Sequence, residues 1–305
     1  MKLHILFDFK DTPWGGGNQF LKLLRKYFLS HNPYTNYPED ADVIIFDSHH
    51  NLKKAKRIKR KYPNKIFIQR LGPVFTLARN SPELDRIVLK YNAQVADGTI
   101  FQSNWSRDTL HEFGLKPKRF ETVIMNTCDP TIFYPRTIPI EEKRIKLIAT
   151  SWSPNFKGKG FDILLHLDKS LDFRKYHFLF LGNSPVKFEN IVTLPPQPSH
   201  VVSLLLSSSD IFIAPSINDA CSNSLIEALA CGIPAVARNS GGNPEIVRRG
   251  GVMFEGKEDV IEAINTLSSN IESHRTNISI PTILEVGAAY LNFATAVIGG
   301  DVNGL

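Results

Sequence analysis

The chain has 305 residues, 42% hydrophobic and 22% charged, the balance of a globular protein long enough for two domains of ordinary size. Its 36 Lys and Arg against 30 Asp and Glu leave a charge of +6, which favours an anionic partner: a nucleoside diphosphate, an acidic lipid surface or nucleic acid. Three cysteines, Cys128, Cys221 and Cys231, suggest neither a disulfide framework nor a zinc spacing, so a reducing cytoplasm is expected.

The opening MKLHILFDFK is charged too early for a signal peptide and is predicted as a first strand, Leu3–Phe9. Trp14-Gly15-Gly16-Gly17-Asn18 follows, then a helix with Phe20, Leu21, Leu24 and Phe28 on its apolar face. Glycines between a first strand and a helix let backbone approach a phosphate or sugar closely, although a Gly triplet alone equally describes a flexible loop. Val43–Phe46 is the next strand and ends in Asp47-Ser48-His49-His50. The carboxyl ends of parallel strands face the ligand crevice of an open α/β sheet, which makes His50 a candidate; a solvated loop explains the same residues.

Asn51–Lys65 carries Lys53, Lys54, Lys56, Arg57, Lys59, Arg60, Lys61 and Lys65 without an acid. Either this is the solvated face of a helix or it lies against anionic lipid, where each charge adds roughly 1 kcal/mol. Its apolar side (Leu52, Ala55, Ile58, Tyr62) is too small for deep insertion. No aromatics are interleaved for base stacking, so nucleic acid is not expected as a partner. Ile66–Gln69 and Thr99–Gln102 are predicted strands, and Arg70 at the end of the first is placed to meet an anion. Phe120–Met125 is the last strand of this half; the prolines after it and the charge-rich Pro139–Lys146 put a domain boundary near residue 138.

Lys146–Thr150 restarts the pattern, followed by the loop Ser151-Trp152-Ser153-Pro154-Asn155-Phe156-Lys157-Gly158-Lys159-Gly160 and the helix Phe161–Leu167. His177–Leu181 is a strand ending in Gly182-Asn183, another crevice position. Ile211–Ala214 reads as a buried strand closed by Pro215-Ser216. Asp219 then precedes Ser222-Asn223-Ser224, residues suited to cap a helix whose buried side is Leu225, Ile226 and Leu229 and which stops at Gly232. Pro234–Ala237 is a further strand, and Gly241-Gly242 turns into another helix at Pro244.

The N–H groups and dipole at a helix start suit a phosphate. Glu227 shares a helix face with Asn223 and Ser224, and Asp219 lies in the loop leading to the same opening. A diphosphate there would have a carboxylate on each side, one able to meet a ribose diol and the other a sugar ring. An ordinary capped helix with Glu227 in solvent is the plain alternative. Val252–Phe254 and Val260–Leu267 close the domain. Thr282–Gly300 is mostly apolar but interrupted by Glu285 and Asn292, short of the about 20 apolar residues of a membrane span, and is predicted to be a packing helix.

Asp219, seven residues, Glu227-Ala228-Leu229-Ala230-Cys231-Gly232-Ile233-Pro234, then Gly241-Gly242-Asn243-Pro244-Glu245, resembles the donor-site signature of retaining glycosyltransferases of the GT-B fold, family GT4. Asp219 departs from the usual Glu by one methylene. Asn126-Thr127-Cys128-Asp129, with Phe133 and Pro135, resembles the hinge of the same family. The likeness covers most of the chain, most closely from Lys146 to Glu245.

It implies an α/β fold of GT-B type, two Rossmann-like domains facing across a cleft. Residues 1–138 would form the acceptor-side domain, 139–280 the nucleotide-sugar donor domain, and 281–305 a C-terminal helix packing back toward the first. The resemblance places Lys159 on the diphosphate, Glu227 on the ribose and Asp219 on the transferred sugar as catalytic residues, with Gly16 and Gly17 facing the donor. His50, Arg70, Asn155, Lys157, Gly182, Asn183, Ser222, Asn223, Ser224, Gly242 and Glu245 complete the substrate-binding candidates, and Pro195–Ser199 would run along the nucleobase. Ser151-Trp152-Ser153 stands where the family carries an Arg, a charge Lys157 is near enough in sequence to replace.

The expected activity is a retaining, metal-independent, hexosyltransferase-type transfer from a nucleotide diphosphate sugar to a hydroxyl acceptor: a glycan, a lipid-linked or a small molecule. The donor is a substrate, and no cofactor or metal is expected. The sole Asp-x-Asp, Asp40-Ala41-Asp42, precedes its strand and so falls at the wrong end of the sheet. The expected location is the cytoplasm, with peripheral contact to anionic membrane through Lys53–Lys65 as a further expectation. Two other classes share these residues. One is a sugar-nucleotide epimerase of the same fold; the other is a non-catalytic nucleotide-sugar binder, suggested by the missing Arg and by Asp219.

Overall fold

The structure is a computed structural model and describes residues 1–11, 16–31, 33–138, 141–155 and 157–300. It divides into two units. The first comprises Met1–Lys10, Asn18–Asn126 and the chain from Pro281 onward; the second comprises Thr127–Ile280 together with Asp11, Gly16 and Gly17.

In the first unit the chain runs through β1 (Leu3–Leu6), α1 (Gly16–Ser30), β2 (Val43–Asp47), α2 (Leu52–Lys61) and β3 (Ile66–Leu71). It continues through α3 (Phe75–Arg79), α4 (Pro82–Val95), β4 (Gly98–Phe101), α5 (Asn104–Glu112) and β5 (Glu121–Val123). Runs such as Val-Ile-Ile-Phe are apolar on both faces and form strands covered by helices on each side, hence parallel pairing throughout in the order β1-β2-β3-β4-β5. A single parallel bridge joins Leu3 to Tyr34, while Leu3 also pairs with Val43 of β2. The bridge lies on the flank of β1 away from β2, and β1 is the edge strand of the sheet.

One face of this sheet is closed by α1, through Phe20, Leu24 and Phe28, and by the last helix of the chain. The other is closed by Leu52, Ala55 and Ile58 of α2 against Ile44, Phe46 and Phe67. That leaves Lys53, Lys54, Arg57, Arg60 and Lys61 exposed. Lys59 instead pairs with Asp97 at 2.7 Å and Lys56 donates to Gln94 Oε1 at 2.6 Å.

The second unit contains β6 (Ile145–Ser151), α6 (Phe161–Ser170), β7 (Tyr176–Gly182), β8 (Val192–Leu194), α7 (Ser199–Ser207) and β9 (Ile211–Ala214). There follow α8 (Asn223–Ala230), β10 (Ala235–Arg238), α9 (Asn243–Val247), β11 (Gly251–Phe254), α10 (Val260–Ser268) and α11 (Ile271–Thr276). Its sheet, again all parallel, has the order β11-β10-β9-β6-β7-β8. From β6 the chain proceeds outward to β7 and β8, then crosses back to β9 on the other flank of β6. The loops after β6 and β9 therefore splay apart at the carboxyl ends, which creates the crevice where open α/β sheets take ligands. Leu147, Phe161, Phe178, Phe180, Ile213 and Ile264 lie in its core.

The change of unit falls between Asn126 and Thr127, ahead of the boundary near residue 138 predicted from the prolines. Segment 127–136 is held by the second unit. Phe133 is buried there, Pro135 lies against Gly232, and Arg136 donates to Ser203 Oγ. The strand predicted over Phe120–Met125 pairs only at Glu121–Val123, and β8, three residues with two exposed, was not predicted.

The final helix, α12 (Ile283–Gly299), belongs to the first unit and starts with a full capping box between Thr282 and Glu285. Val286, Tyr290, Phe293 and Ala294 enter the core of the first unit, each large side chain contributing about 1.5–3 kcal/mol of burial. Gly287 permits this approach: a Cβ there would lie 2.3 Å from the Tyr27 ring. Among the described residues no helix is long and apolar enough to cross a membrane.

Candidate functional site

The loop leaving β6 is shaped by its own polar side chains. Ser151 Oγ donates to Ser153 O at 2.8 Å, Ser153 Oγ accepts from Asn155 N at 3.3 Å, and Asn155 Oδ1 accepts from Gly158 N at 3.2 Å. Asn155 therefore folds the loop, in the manner of an Asx turn, and is not placed as a side chain directed only at a ligand. Gly160 ends the loop at φ +69°, where a Cβ would stand 2.1 Å from Pro215 O. Only glycine lets this loop rest on the exit of β9. Lys157 is exposed, and Phe156 lies outside the described residues.

Lys159 emerges from this loop, and its Nζ donates to Asp219 Oδ2 at 3.0 Å. Asp219 belongs to the loop after β9, so the pair spans the two sides of the β6/β9 reversal. The Asp219 carboxylate also accepts from Cys221 N at 3.2 Å, and its carbonyl accepts from Gly242 N at 2.8 Å. Gly241, at φ +63°, leaves 2.3 Å between a built Cβ and that carbonyl. The left-handed conformation and the close approach fall on Gly241, not on Gly242, whose φ of −82° suits any residue.

Three residues absent from the sequence-based candidates stitch the same loops together. Asn218 N donates to Ser240 Oγ at 3.0 Å. Buried Asn243 donates to Ser216 O at 3.2 Å and to Arg238 O at 3.1 Å. The signal for Asn243 was its place directly after Gly-Gly at a helix start. Glu245 follows in the first turn of α9, half-buried.

Ser222 is the N-cap of α8, but its side chain makes no capping bond and instead lies 3.2 Å from Ser224 Oγ. The first N–H groups of α8 are thus not consumed by a cap from Ser222. Asn223, Ser224 and Glu227 are half-buried on one face, while Leu225, Ile226, Ala228 and Leu229 are buried on the other. Gly16, assigned to the second unit, approaches Asn223 so closely that a Cβ would lie 2.0 Å from its Nδ2, whereas Gly17 has open space around it.

Glu227 was expected as a carboxylate. Desolvation pushes its carboxyl up to about 8, well above the ordinary carboxylate range. Burial likewise pushes the neighbouring Cys128 and Cys231 thiols up, which leaves both uncharged.

At the end of β7, Gly182 adopts φ +130° with no room for a Cβ beside Ser151 O. Asn183 N donates to Ser151 O at 2.8 Å, and its side chain donates to Trp152 O at 2.9 Å. These two hold the β6 exit loop.

His50 and Arg70 lie in the first unit. His50 packs edge-on to Phe7, with ring centroids 5.1 Å apart, and beside His49 at 4.1 Å. Burial and the His50 charge push His49 down to about 4. The expectation that Arg70 waits for an anion is corrected: it is 2% exposed and committed to Asp47, Gln102 and Asn126. Among the described residues no three His, Cys, Asp or Glu side chains converge as metal ligands.

A lysine and an aspartate thus meet at the strand-order reversal of the second sheet, in the loop that leads to the start of α8. Residues 140–270 match the family model for glycosyl transferases group 1. The putative colanic acid biosynthesis glycosyltransferase WcaL of Salmonella typhimurium is 35% identical over 161 residues, covering 46% of this chain and 39% of its own. The WcaL of Escherichia coli is 27% identical over 139 residues, covering 39% and 34%. The chain spans little more than a third of the length of these curated relatives. HepE from Anabaena, solved in complex with UDP-glucose, superposes with a TM-score of 0.69 at 15% identity, with 98% of each chain covered. At that identity the likeness is one of fold, and the fold is that of GT-B glycosyltransferases: two Rossmann-like α/β units.

Proposed function

We propose that this protein is a nucleotide-sugar glycosyltransferase that moves a hexose from a nucleoside diphosphate sugar to a hydroxyl of a glycan or lipid-linked acceptor. The observation carrying this reading is the meeting of Lys159 and Asp219 across the β6/β9 reversal, in the loop that leads to the start of α8. The group 1 match over residues 140–270, the names of the curated relatives and the UDP-glucose complex of HepE support it.

In this reading the Lys159 ammonium and the first N–H groups of α8 meet the charge that builds on the departing diphosphate. Glu227 meets the ribose, and Asp219 borders the transferred sugar. The bond from the anomeric carbon to the diphosphate oxygen breaks as the acceptor oxygen bonds to the same face. The acceptor proton passes to the leaving phosphate, so the anomeric configuration is retained and no side-chain base is assigned. No metal or cofactor is assigned a role. We place the protein in the cytoplasm, with the basic face of α2 against anionic membrane.

Nucleotide release from UDP-, GDP- and ADP-sugars, with and without acceptors, tests the reading. Release with one donor and a hydroxyl acceptor supports it, and an absence of release with every pair defeats it. Conversion of the donor without acceptor would mark an epimerase instead, and binding without turnover a sugar-nucleotide binder. NMR of the product reports retention or inversion. Activity abolished by a chelator and restored by added metal would refute the metal-free mechanism.

A further inference from the structure

The group assigned to the diphosphate already has a partner of opposite charge. Lys159 Nζ and Asp219 Oδ2 stand 3.0 Å apart, with 33% and 23% of their side-chain surfaces exposed. Neither partner is carried by a loose backbone. The Asp219 carboxylate and carbonyl accept from Cys221 N and Gly242 N, and Gly241 closes against the same carbonyl. Lys159 N donates to Asn155 O at 3.1 Å, and the next residue, Gly160, is seated on Pro215 O. Two independently fixed loops therefore hold a cation and an anion together where a polyanion would arrive. An ammonium engaged by a carboxylate is offered to a phosphate at reduced strength, and the phosphate meets the carboxylate's repulsion as well.

We propose that Asp219 is a built-in competitor for the diphosphate. It holds Lys159 in the donor-free protein, yields it as the nucleotide sugar binds, and recaptures it as the nucleoside diphosphate leaves. This rests on the reading of Lys159 as a diphosphate ligand. It predicts the opposite of a carboxylate that serves only the sugar. Neutralising Asp219 tightens binding of the free nucleoside diphosphate, because no partner has to be displaced from the lysine. Partly exposed ion pairs are weak, so the gain is about two- to five-fold.

The test is calorimetry of UDP, GDP and ADP on wild type, Asp219→Asn, Lys159→Ala and the double variant, each checked for folding by thermal melt. Asp219→Ser replaces Asp219→Asn where the amide variant melts early. The expected result is tighter binding in Asp219→Asn, weaker binding in Lys159→Ala, and no effect of Asp219→Asn once Lys159 is gone. Unchanged or weaker binding in Asp219→Asn overturns the proposal. So does tightening that persists without Lys159, which would be a general effect of charge. Additive melting shifts in the four proteins would show that the pair does not form, and would overturn it independently of any nucleotide. Wild type that binds none of the three removes the diphosphate reading and this proposal with it. Binding that is blind to Asp219 removes the proposal alone.

Discussion

Arg70 Nη1 donates to Asp47 Oδ1 at 2.6 Å, and the two residues are register partners on β3 and β2. Nη2 reaches Gln102 Oε1 at 2.7 Å and Asn126 Oδ1 at 2.6 Å, and the guanidinium lies 4.8 Å from the Phe20 ring centre. One buried cation thus ties the ends of three strands to the last residue before the chain changes unit. Arg70→Met would leave the Asp47 carboxylate buried without its cation, at a cost of about 3–5 kcal/mol. Denaturant unfolding checks this; a loss below about 1 kcal/mol, the scale of an exposed pair, would show the network to be dispensable.

Glu227 makes stability depend on pH in a direction opposite to most carboxylates. Its folded value of about 8 lies above the unfolded one, near 4.5, so the folded state holds the extra proton between these limits. Stability contributed this way is complete below the unfolded value, falls as pH rises toward 8, and is flat beyond it, with a slope of at most about 1.4 kcal/mol per pH unit. Glu227→Gln should remove that slope. Melting curves from pH 5 to pH 9 compare the two proteins, and parallel profiles would mean that Glu227 titrates normally.

Gly241→Ala places a Cβ in a left-handed backbone and against the Asp219 carbonyl. The conformational part alone costs roughly 1–2 kcal/mol. The displaced Asp219 loop should lower turnover by about tenfold or more, since positioning errors near 1 Å can cost up to about a hundredfold. Gly242→Ala, at φ −82°, should be much milder. Initial rates of the two variants compare them directly, and equal losses would contradict the assignment.

The exposed basic face of α2 predicts sedimentation with anionic vesicles that weakens steeply with salt. Reversing Lys53, Arg57 and Arg60 to Glu should abolish it and leave the fold intact, because the buried side of α2 is Leu52, Ala55 and Ile58. Binding insensitive to both salt and charge reversal would exclude an electrostatic lipid contact.

Apolar runs and glycine punctuation made both sheets legible, because a strand covered on both faces has little freedom in composition. The loops after β6 and β9 were singled out through their resemblance to the GT4 signature, and only the glycines in them, Gly160 and Gly241, answer a backbone demand that composition can mark. Arg70 was not, since its partners Asp47, Gln102 and Asn126 are far along the chain and a charged residue at a strand end ordinarily reads as exposed. The upward shift of Glu227 was hidden too, because its helix position reveals a face but not the desolvation of the carboxyl. Which glycine of the Gly-Gly pair is indispensable required the backbone angles.

The placement of α12 has a consequence for synthesis. Tyr290, Phe293 and Val286 complete an interior begun by Phe20, Leu24 and Phe28, and nearly the whole second unit is translated between them. Until α12 is made, at elongation rates of about 5–20 residues per second, that face of the first sheet is covered by α1 alone and its interior lacks Val286, Tyr290 and Phe293. The later half is nearly contiguous and holds its own interior without any residue beyond Ile280.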